Sequence, residues 1–305
     1  MLVDSVPYCL LVAQIRIHMY ACKCKHKNMS THRQQGGLVI ASACLVTRNT
    51  FAGFVSLGEK STVHVTNSSA LENGHTGAGV YQNGMIIITG SKFDNNFDAG
   101  VHVVGTRSIA SVSVSTVNNN RVGFFVQDGG FISLYACDVS HSQESGLVTR
   151  GPATLANVQR SSIRFSQVFG CVAEEASRIC ITRTNFKHNL AGGASATDFG
   201  SQLWLCESTI CQCGRGLYLL DGATCEAECC VLERNEITGT TVYGPGSMLV
   251  YTHLIQYDAI QTSSLPCPLR SADANTSGDE RVPNRAQHAR SLQRQLGIHH
   301  DVRLA

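Results

Sequence analysis

The chain has 305 residues, 43% of them hydrophobic, and its formal net charge at pH 7 is +2. This length and composition suffice for one substantial hydrophobic core, whereas a net charge so close to zero offers no electrostatic attraction to nucleic acid or to a membrane surface. The sequence therefore predicts neither of these as a partner.

The first 36 residues carry no repeat, and we predict that residues 1–36 form an irregular N-terminal coil or cap. Residues 6–13 are apolar, but Asp4 precedes them, and Arg16 and His18 interrupt the next stretch of the chain. A signal peptide requires a positive start, a longer apolar run and a small-residue cleavage site, and a membrane span requires about 20 apolar residues. The sequence therefore favours an intracellular protein, cytoplasmic or nuclear, with secretion as the alternative.

Residues 37–255 repeat at intervals of 23 or 24 residues. A polar residue returns once in each interval, and a glycine follows it four positions later. The polar residues are Asn49, Asn73, Asn96, Asn119, Ser142, Ser166, Asn189, Gln212 and Asn235, and the glycines are Gly53, Gly77, Gly100, Gly123, Gly146, Gly170, Gly193, Gly216 and Gly239. Self-similarity at a period of this size is typical of proteins built from stacked repeats.

Each repeat contains short runs that alternate polar and apolar residues, such as residues 100–103 and 179–181, with turn residues between them. This alternation indicates β-strands. Two-helix repeats are excluded because no repeat holds ten residues with helical apolar spacing, and the L-x-x-L-x-L run of leucine-rich repeats is missing. We predict an all-β fold, a right-handed single-stranded parallel β-helix of about nine coils, stacked about 4.8 Å apart.

The stacking predicts a role for each repeated position. The amides are expected to hydrogen-bond along the stack, and the glycines are expected where a turn requires positive φ. One-residue bulges are expected at Asn119 and Gln212, because Asn120 and Cys213 fit the columns equally well. The period stops near residue 256, and the polar composition of residues 256–305 predicts a disordered C-terminal tail.

The Asn/Gly period and the strand after each glycine, as in 100–103 and 216–219, resemble the parallel β-helix repeats of the pectin-lyase-like superfamily, especially the carbohydrate-binding and sugar-hydrolase type. The resemblance implies a fold but no single activity, since this solenoid carries lyases, hydrolases, epimerases and non-catalytic receptors. Its glycosidase members carry N-x-D, an Asp pair, G-H-G and R-x-K. Only Asn96-Phe97-Asp98 matches here, with Gly74-His75-Thr76 in place of G-H-G, so a hydrolytic site is not carried over.

Acidic residues follow three successive repeat glycines by five positions: Glu175, Asp198 and Asp221. Carboxylates stacked at the coil spacing can bind Ca²⁺, and the resemblance implies that lyase-type members use calcium with a basic residue. Turn chemistry is the favoured explanation, because Asp and Gly are preferred in turns. We therefore predict no catalytic residue, metal or cofactor, with Glu175, Asp198 and Asp221 as the alternative Ca²⁺ and catalytic site.

The chain has fourteen cysteines. Without an export signal, buried thiols acting as small apolar side chains are favoured over disulfides or zinc ligands. Cys206 and Cys229 lie 23 positions apart, so we expect them to stack on neighbouring coils. A disulfide between them is the alternative for an oxidising compartment.

The strand after each repeat glycine has one outward position per coil, which is expected to face solvent. These positions are His102, Phe125, Val148, Val172, Ser195, Tyr218 and Thr241. Such an apolar stripe favours a protein partner, or a carbohydrate stacked on Phe125 and Tyr218, although the C-terminal tail is an alternative occupant. We predict His102, Phe125 and Tyr218 as ligand-binding residues of a non-catalytic scaffold for protein interaction or ligand recognition. The alternative is a polysaccharide-active enzyme, a Ca²⁺-dependent lyase rather than a hydrolase, acting on the outer face.

Overall fold

A computed structural model describes residues 36–256, together with the backbone of four short strands at 17–19, 26–27, 260–262 and 270–271. The predicted N-terminal cap and C-terminal tail otherwise lie outside the described residues. The strands are named β1 to β33 in chain order. Within the described residues, no helix is long and apolar enough to cross a membrane.

Each full coil contributes one strand to each of three parallel sheets. Sheet A has 12 strands: β1 Ile17–Met19, β3 Leu38–Ser42, β6 Thr62–Thr66, β9 Met85–Thr89, β12 Ile109–Ser113, β15 Phe131–Tyr135, β18 Leu155–Gln159, β21 Arg178–Thr182, β24 Gln202–Cys206, β27 Thr224–Glu228, β30 Met248–Thr252 and β33 Arg270–Ser271. Sheet B has 11 shorter strands: β2 His26–Lys27, β4 Leu45–Thr47, β7 Ser69–Leu71, β10 Lys92–Asp94, β13 Thr116–Asn118, β16 Asp138–Ser140, β19 Ser162–Arg164, β22 Asn185–Lys187, β25 Thr209–Cys211, β28 Val231–Glu233 and β31 Ile255–Gln256.

Sheet C has 10 strands: β5 Phe54–Leu57, β8 Ala78–Tyr81, β11 Ala99–Val104, β14 Val122–Gln127, β17 Leu147–Arg150, β20 Phe169–Glu174, β23 Gly192–Thr197, β26 Arg215–Leu220, β29 Thr238–Tyr243 and β32 Ile260–Thr262. Within a sheet, every strand pairs in parallel with the strand of the coil before or after it, as β11 does with β8 and β14. The predicted right-handed parallel β-helix is confirmed.

The inward side chains of the three sheets form one core along the stack. Val101 and Val103 of sheet C, Ile86 and Ile88 of sheet A and Phe93 of sheet B are all fully buried. Burying a side chain of this kind stabilises the fold by about 1.5–3 kcal/mol. The alternation that predicted strands therefore also predicted which side of each strand faces inward.

The turn from sheet A to sheet B is held by a column of buried hydroxyl groups, which was not among the predicted columns. The backbone N–H of Ser68 donates to Ser91 Oγ, and that of Ser91 donates to Ser115 Oγ. Ser68 and Ser91 also donate to the carbonyl oxygens of Thr66 and Thr89. The hydroxyls therefore satisfy turn amides that would otherwise be buried without partners.

The turn from sheet B to sheet C carries the repeated amides. Asn49 Nδ2 donates to Asn73 Oδ1 at 2.7 Å, and Asn73 Nδ2 donates to Asn96 Oδ1 at 2.9 Å. Asn96 Nδ2 then donates to Oδ1 of Asn120, which is buried, while Asn119 is exposed. The bulge expected at Asn119 is not present, because only three residues separate Asn118 from Val122, one fewer than the four between the paired Asp94 and Ala99. Asn119 holds the left-handed turn position, as Asn95 does on the coil before. Cys213 likewise takes the column position beside Gln212, and its backbone N–H donates to Asn235 Oδ1.

The repeat glycines have a different role from the expected one. None of them has φ in the left-handed region, so the expectation of positive φ was wrong. A Cβ on Gly77 or on Gly100 would lie 2.7 Å from the carbonyl oxygen of the repeat glycine in the next coil. Glycine is required because adjacent backbones approach too closely for any side chain. Other residues, such as Glu72 (φ 55) and Asn95 (φ 55), hold the left-handed position of this turn.

Candidate functional site

The outward stripe of sheet C is largely covered rather than open to solvent. His102 and Val148 are each 8% exposed, Val172 is 6% exposed and Ser195 is fully buried. The expectation that these side chains face solvent was therefore wrong. At His102, the rings of Tyr81 and Phe125 form the contacts that cover the side chain.

Two groups of side chains lie over sheet C, and we refer to each as a cover. The first cover consists of Tyr81, His102, Phe125 and Arg150 and lies over strands β8 to β17. Tyr81 lies across Gly79, because a Cβ at Gly79 would be only 2.5 Å from the Tyr81 ring. The Tyr81 ring meets His102 edge-on at 5.8 Å, and His102 stacks on Phe125 with ring centroids 5.0 Å apart. The guanidinium of Arg150 lies 5.6 Å from the centre of the Phe125 ring. Two predicted ligand-binding residues, His102 and Phe125, are thus in contact with each other.

The second cover begins on the next strand of sheet C, β20, and extends to β26. Phe169 stacks with Tyr218 at 5.9 Å, and the guanidinium of Arg215 lies 5.3 Å from the centre of the Tyr218 ring. Tyr218 is partly buried, and it belongs to a cluster separate from that of His102 and Phe125. The three predicted ligand-binding residues therefore do not form one site.

A column of charged and aromatic residues borders the first cover, at the turn from sheet B to sheet C. His75 Nε2 lies 3.5 Å from Asp98 Oδ2, and Arg121 donates from Nε and Nη2 to Asp98 Oδ1. Arg121 Nη1 donates to both carboxylate oxygens of Glu144, at 2.9 and 3.0 Å. Phe51 stacks on His75 with ring centroids 4.9 Å apart. The four polar residues thus form one electrostatic network across four coils.

His102 lies against this network but is excluded from it. Burial lowers the pKa of His102 from 6.5 to about 4, although the negative charge of Asp98 opposes the shift. The imidazole is therefore neutral at pH 7. Within the described residues, neither ring nitrogen of His102 has a hydrogen-bond partner, and neither has His75 Nδ1. Buried polar atoms without partners are uncommon and need a specific explanation.

His75, Asp98 and His102 also form a compact set of ligand-type side chains. One ligand atom from each lies within 4.8 Å of the others, and no other group of three or more His, Cys, Asp or Glu side chains in the described chain does so. In the sequence, His75 and Asp98 stood out only as parts of incomplete motifs. The available signal was their spacing: His75, Asp98, Arg121 and Glu144 lie at successive intervals of 23 residues.

An open groove lies beside this column on the same turn. It is lined by polar and aromatic side chains and by the turn backbone: Glu72, Asn73, Gly74, Asn95, Asn96, Phe97, Asn119, Arg121 and Gln143. We refer to it as the Arg121 groove. Phe97 is 77% exposed, and Phe51 on the neighbouring column is 54% exposed. Phe51 stacks on His75 of the charged column, and Phe97 directly precedes Asp98 in the chain.

The predicted acidic column adopts turn geometry. Glu175, Asp198 and Asp221 are exposed, with φ of 53°, 73° and 53°. The backbone N–H of Glu175 donates to Asp198 Oδ2 at 3.2 Å, and Glu175 Oε1 lies 3.8 Å from Arg150 Nε. The three residues share a column, as expected from the period. Their carboxylates are not among the described groups that cluster tightly enough to hold a metal.

The cysteines show one departure from the expected register. Cys206 lies opposite Glu228 rather than Cys229, because this coil is one residue shorter than the 23-residue interval assumed. The expectation that Cys206 and Cys229 stack directly was therefore wrong. None of the ten described cysteines forms a disulfide. Burial raises the pKa of Cys137, Cys213 and Cys230 to about 11, so these thiols are protonated at neutral pH.

Comparisons with known proteins establish the family. The family described as right-handed beta helix region matches residues 16–113 and 106–255, and the chain belongs to it. No curated protein matches the chain. One solved structure that matches, of a TibC-catalyzed hyper-glycosylated TibA55-350 fragment, is 14% identical and covers 79% of this chain and 97% of its own, with a TM-score of 0.22. A likeness this low carries no argument about function.

Proposed function

We propose that this β-helix is a non-catalytic recognition scaffold that binds an extended carbohydrate chain in the Arg121 groove. The observation that carries the proposal is the exposed Phe97 ring, 77% accessible, in a groove whose other side chains are amides, a guanidinium and a carboxylate. Planar polar groups can hydrogen-bond sugar hydroxyls, while an exposed aromatic face packs against the C–H groups of a sugar ring.

The groove supplies both kinds of hydrogen-bonding group. Asn95, Asn119 and Gln143 each carry an amide that both donates and accepts, Arg121 only donates and the carboxylate of Glu72 only accepts. A sugar hydroxyl both donates and accepts one or more hydrogen bonds. The mixture therefore suits a neutral, hydroxyl-rich ligand better than a strongly charged one.

The spacing of the coils favours a polymer as the ligand. Equivalent positions recur about every 4.8 Å along the stack, which is close to the advance of one sugar ring along an extended glycan. Glu72, Asn95 and Asn119 occupy the same left-handed turn position on three successive coils. A glycan lying along the stack would therefore meet similar groups at each residue.

The charges beside the groove support binding rather than hydrolysis. Asp98 and Glu144 are the carboxylates of the charged column, and both bind the Arg121 guanidinium. Glycoside hydrolysis requires one carboxyl group that acts as an acid and a second that acts as a base or nucleophile. Two carboxylates that are both bound to one guanidinium are poorly suited to these roles.

The test compares two exposed phenylalanines in a glycan-binding assay. The protein is first screened against a panel of immobilised neutral and acidic glycans, and the affinity for the best glycan is measured by calorimetry. Phe97→Ala is expected to weaken binding at least tenfold, because it removes the aromatic face of the groove. Phe199→Ala is the matched control, since Phe199 is 85% exposed outside the groove, and it is expected to bind normally.

Two outcomes would overturn the proposal. The first is a protein that binds no glycan of the panel although it is folded. The second is equal affinity of Phe97→Ala and the parent protein for the glycan that is bound. Turnover of the bound glycan, detected as new reducing ends, would instead support the enzymatic alternative.

A further inference from the structure

We propose that His75, Asp98 and His102 bind one divalent transition-metal ion on the outer face of sheet C. This inference is independent of the proposed glycan recognition. It rests on the placement of three ligand-type side chains from neighbouring coils, with one ligand atom from each lying within 4.8 Å of the others.

The donor set suits metals such as Zn²⁺, Co²⁺ or Fe²⁺. Two imidazole nitrogens and one carboxylate oxygen are a common set of three protein ligands, which leaves further coordination positions open. Ca²⁺ and Mg²⁺ prefer oxygen ligands. The two histidines therefore distinguish this site from the calcium site considered for Glu175, Asp198 and Asp221.

The unpaired imidazole of His102 is the second observation. The residue is 8% exposed, and both of its ring nitrogens lack a hydrogen-bond partner in the described part of the chain. A buried polar atom without a partner is costly. Coordination would use one of these nitrogens, and it would explain why a histidine rather than a phenylalanine stacks on Phe125.

The carboxylate of Asp98 has the hydrogen-bonding surroundings that are common for a metal ligand. Arg121 binds Oδ1, while Oδ2 faces His75 Nε2 at 3.5 Å. Hydrogen bonds from a second layer of residues commonly orient the ligands of metal sites. Arg121 therefore fixes one carboxylate oxygen and leaves the other directed at the histidine.

Binding requires a modest closure of the site. Tetrahedral ligands at zinc distances lie about 3.3 Å from one another, so the ligand atoms must approach by roughly 1.5 Å at most. His102 is held between Tyr81 and Phe125. His75 stacks on Phe51, but its side chain is 35% exposed, so it is more accessible to solvent than His102.

The test titrates the chelator-treated full-length protein with Co²⁺, followed by its visible absorption, and with Zn²⁺, followed by calorimetry. We expect one ion per chain, with the visible bands of cobalt bound by nitrogen and oxygen. His75→Ala and Asp98→Asn should each weaken affinity at least 30-fold. His188→Ala is the control, because His188 also stacks with an aromatic ring but lies outside the cluster.

The test replaces His75 and not the buried His102, so its result does not depend on whether a variant of His102 folds. The proposal is overturned if no stoichiometric cobalt binding occurs, or if His75→Ala binds as tightly as the parent. It is also overturned by an intense near-ultraviolet thiolate band, which would place the ion on cysteines. Glycan binding measured with chelator present reports separately on the Arg121 groove.

Discussion

At the residue scale, His102 shows how coil stacking changes the chemistry of one side chain. The strand pattern placed it outward, yet the Tyr81 ring and the Phe125 ring enclose it. Asp98, His75, Arg121 and Asp128 are the charged or titratable groups that act on it, and burial outweighs all of them. The result is a neutral imidazole with the environment of a core residue.

This environment predicts a pH-dependent stability. The folded-state pKa of His102 is about 4, below its usual 6.5, so the unfolded chain binds more protons between these values. The contribution of His102 to stability should be constant above pH 6.5 and fall as the pH drops from 6.5 to 4, by about 3 kcal/mol in total. The measurement is the free energy of unfolding in urea, at pH 7 and pH 4, with chelator present.

His102→Phe isolates this contribution, because other groups also titrate in the same range. The variant keeps a flat ring on Phe125, and its loss of stability between pH 7 and pH 4 should be about 3 kcal/mol smaller than that of the parent. His188→Phe, at an exposed histidine, should behave like the parent. Equal pH dependence in His102→Phe and the parent would show that His102 is not shielded from solvent.

At the element scale, the repeat glycines allow adjacent coils to approach closely where the strands of sheet C begin. A Cβ at Gly100 would lie 2.3 Å from Val117 Cγ1 and 2.7 Å from the carbonyl oxygen of Gly123. Gly100→Ala should therefore destabilise the protein by about 1–3 kcal/mol, since backbone atoms must move to admit the methyl group. Urea unfolding of the variant and the parent measures the difference.

The control for this prediction is a glycine with a different role. Gly105 has φ of 94°, and the nearest atom to an added Cβ is 3.8 Å away. Gly105→Asn should cost about 1 kcal/mol, because the left-handed backbone strains any residue with a Cβ, but asparagine tolerates it best and space is available. A smaller effect at Gly100 than at Gly105 would contradict the close-approach explanation.

The period made much of the architecture predictable, because identical positions stack and any repeated residue marks a column. It located the coils and the strand after each glycine. The hydroxyl column through Ser68, Ser91 and Ser115 also recurs at the coil interval, so the same reasoning applies to it. The cover over His102 could not be read from the sequence, because it depends on the direction of the Tyr81 side chain above Gly79.

In the candidate site, too, the sequence predicts which coil each residue occupies but not the direction of its side chain. The interval of 23 residues from His75 to Asp98 and from Asp98 to Arg121 places these side chains on neighbouring coils. It does not say that His75 and Arg121 bind opposite oxygens of the Asp98 carboxylate, nor that His102 lies beside them. Those facts depend on rotamers, which are set by packing between coils.

At the scale of the whole molecule, stability is expected to be distributed along the stack. Each strand pairs only with strands of the adjacent coils, so a coil near an end loses neighbours more readily than a central one. In proteins of this kind, stability is approximately a sum over repeats and their interfaces. Local opening should therefore begin near the ends and proceed inward.

Amide hydrogen exchange, followed by mass spectrometry of peptides, measures this gradient. The amides of the central strands β14 and β15 should exchange at least tenfold more slowly than those of β5 and β30, after correction for the intrinsic rate of each sequence. As a control, the exchange rates are measured at more than one pH. Rates that change with pH as the intrinsic rates do show that exchange reports opening equilibria. Uniform protection from β5 to β30 would mean that the coils open only together, and the additive description of the stack would then be wrong.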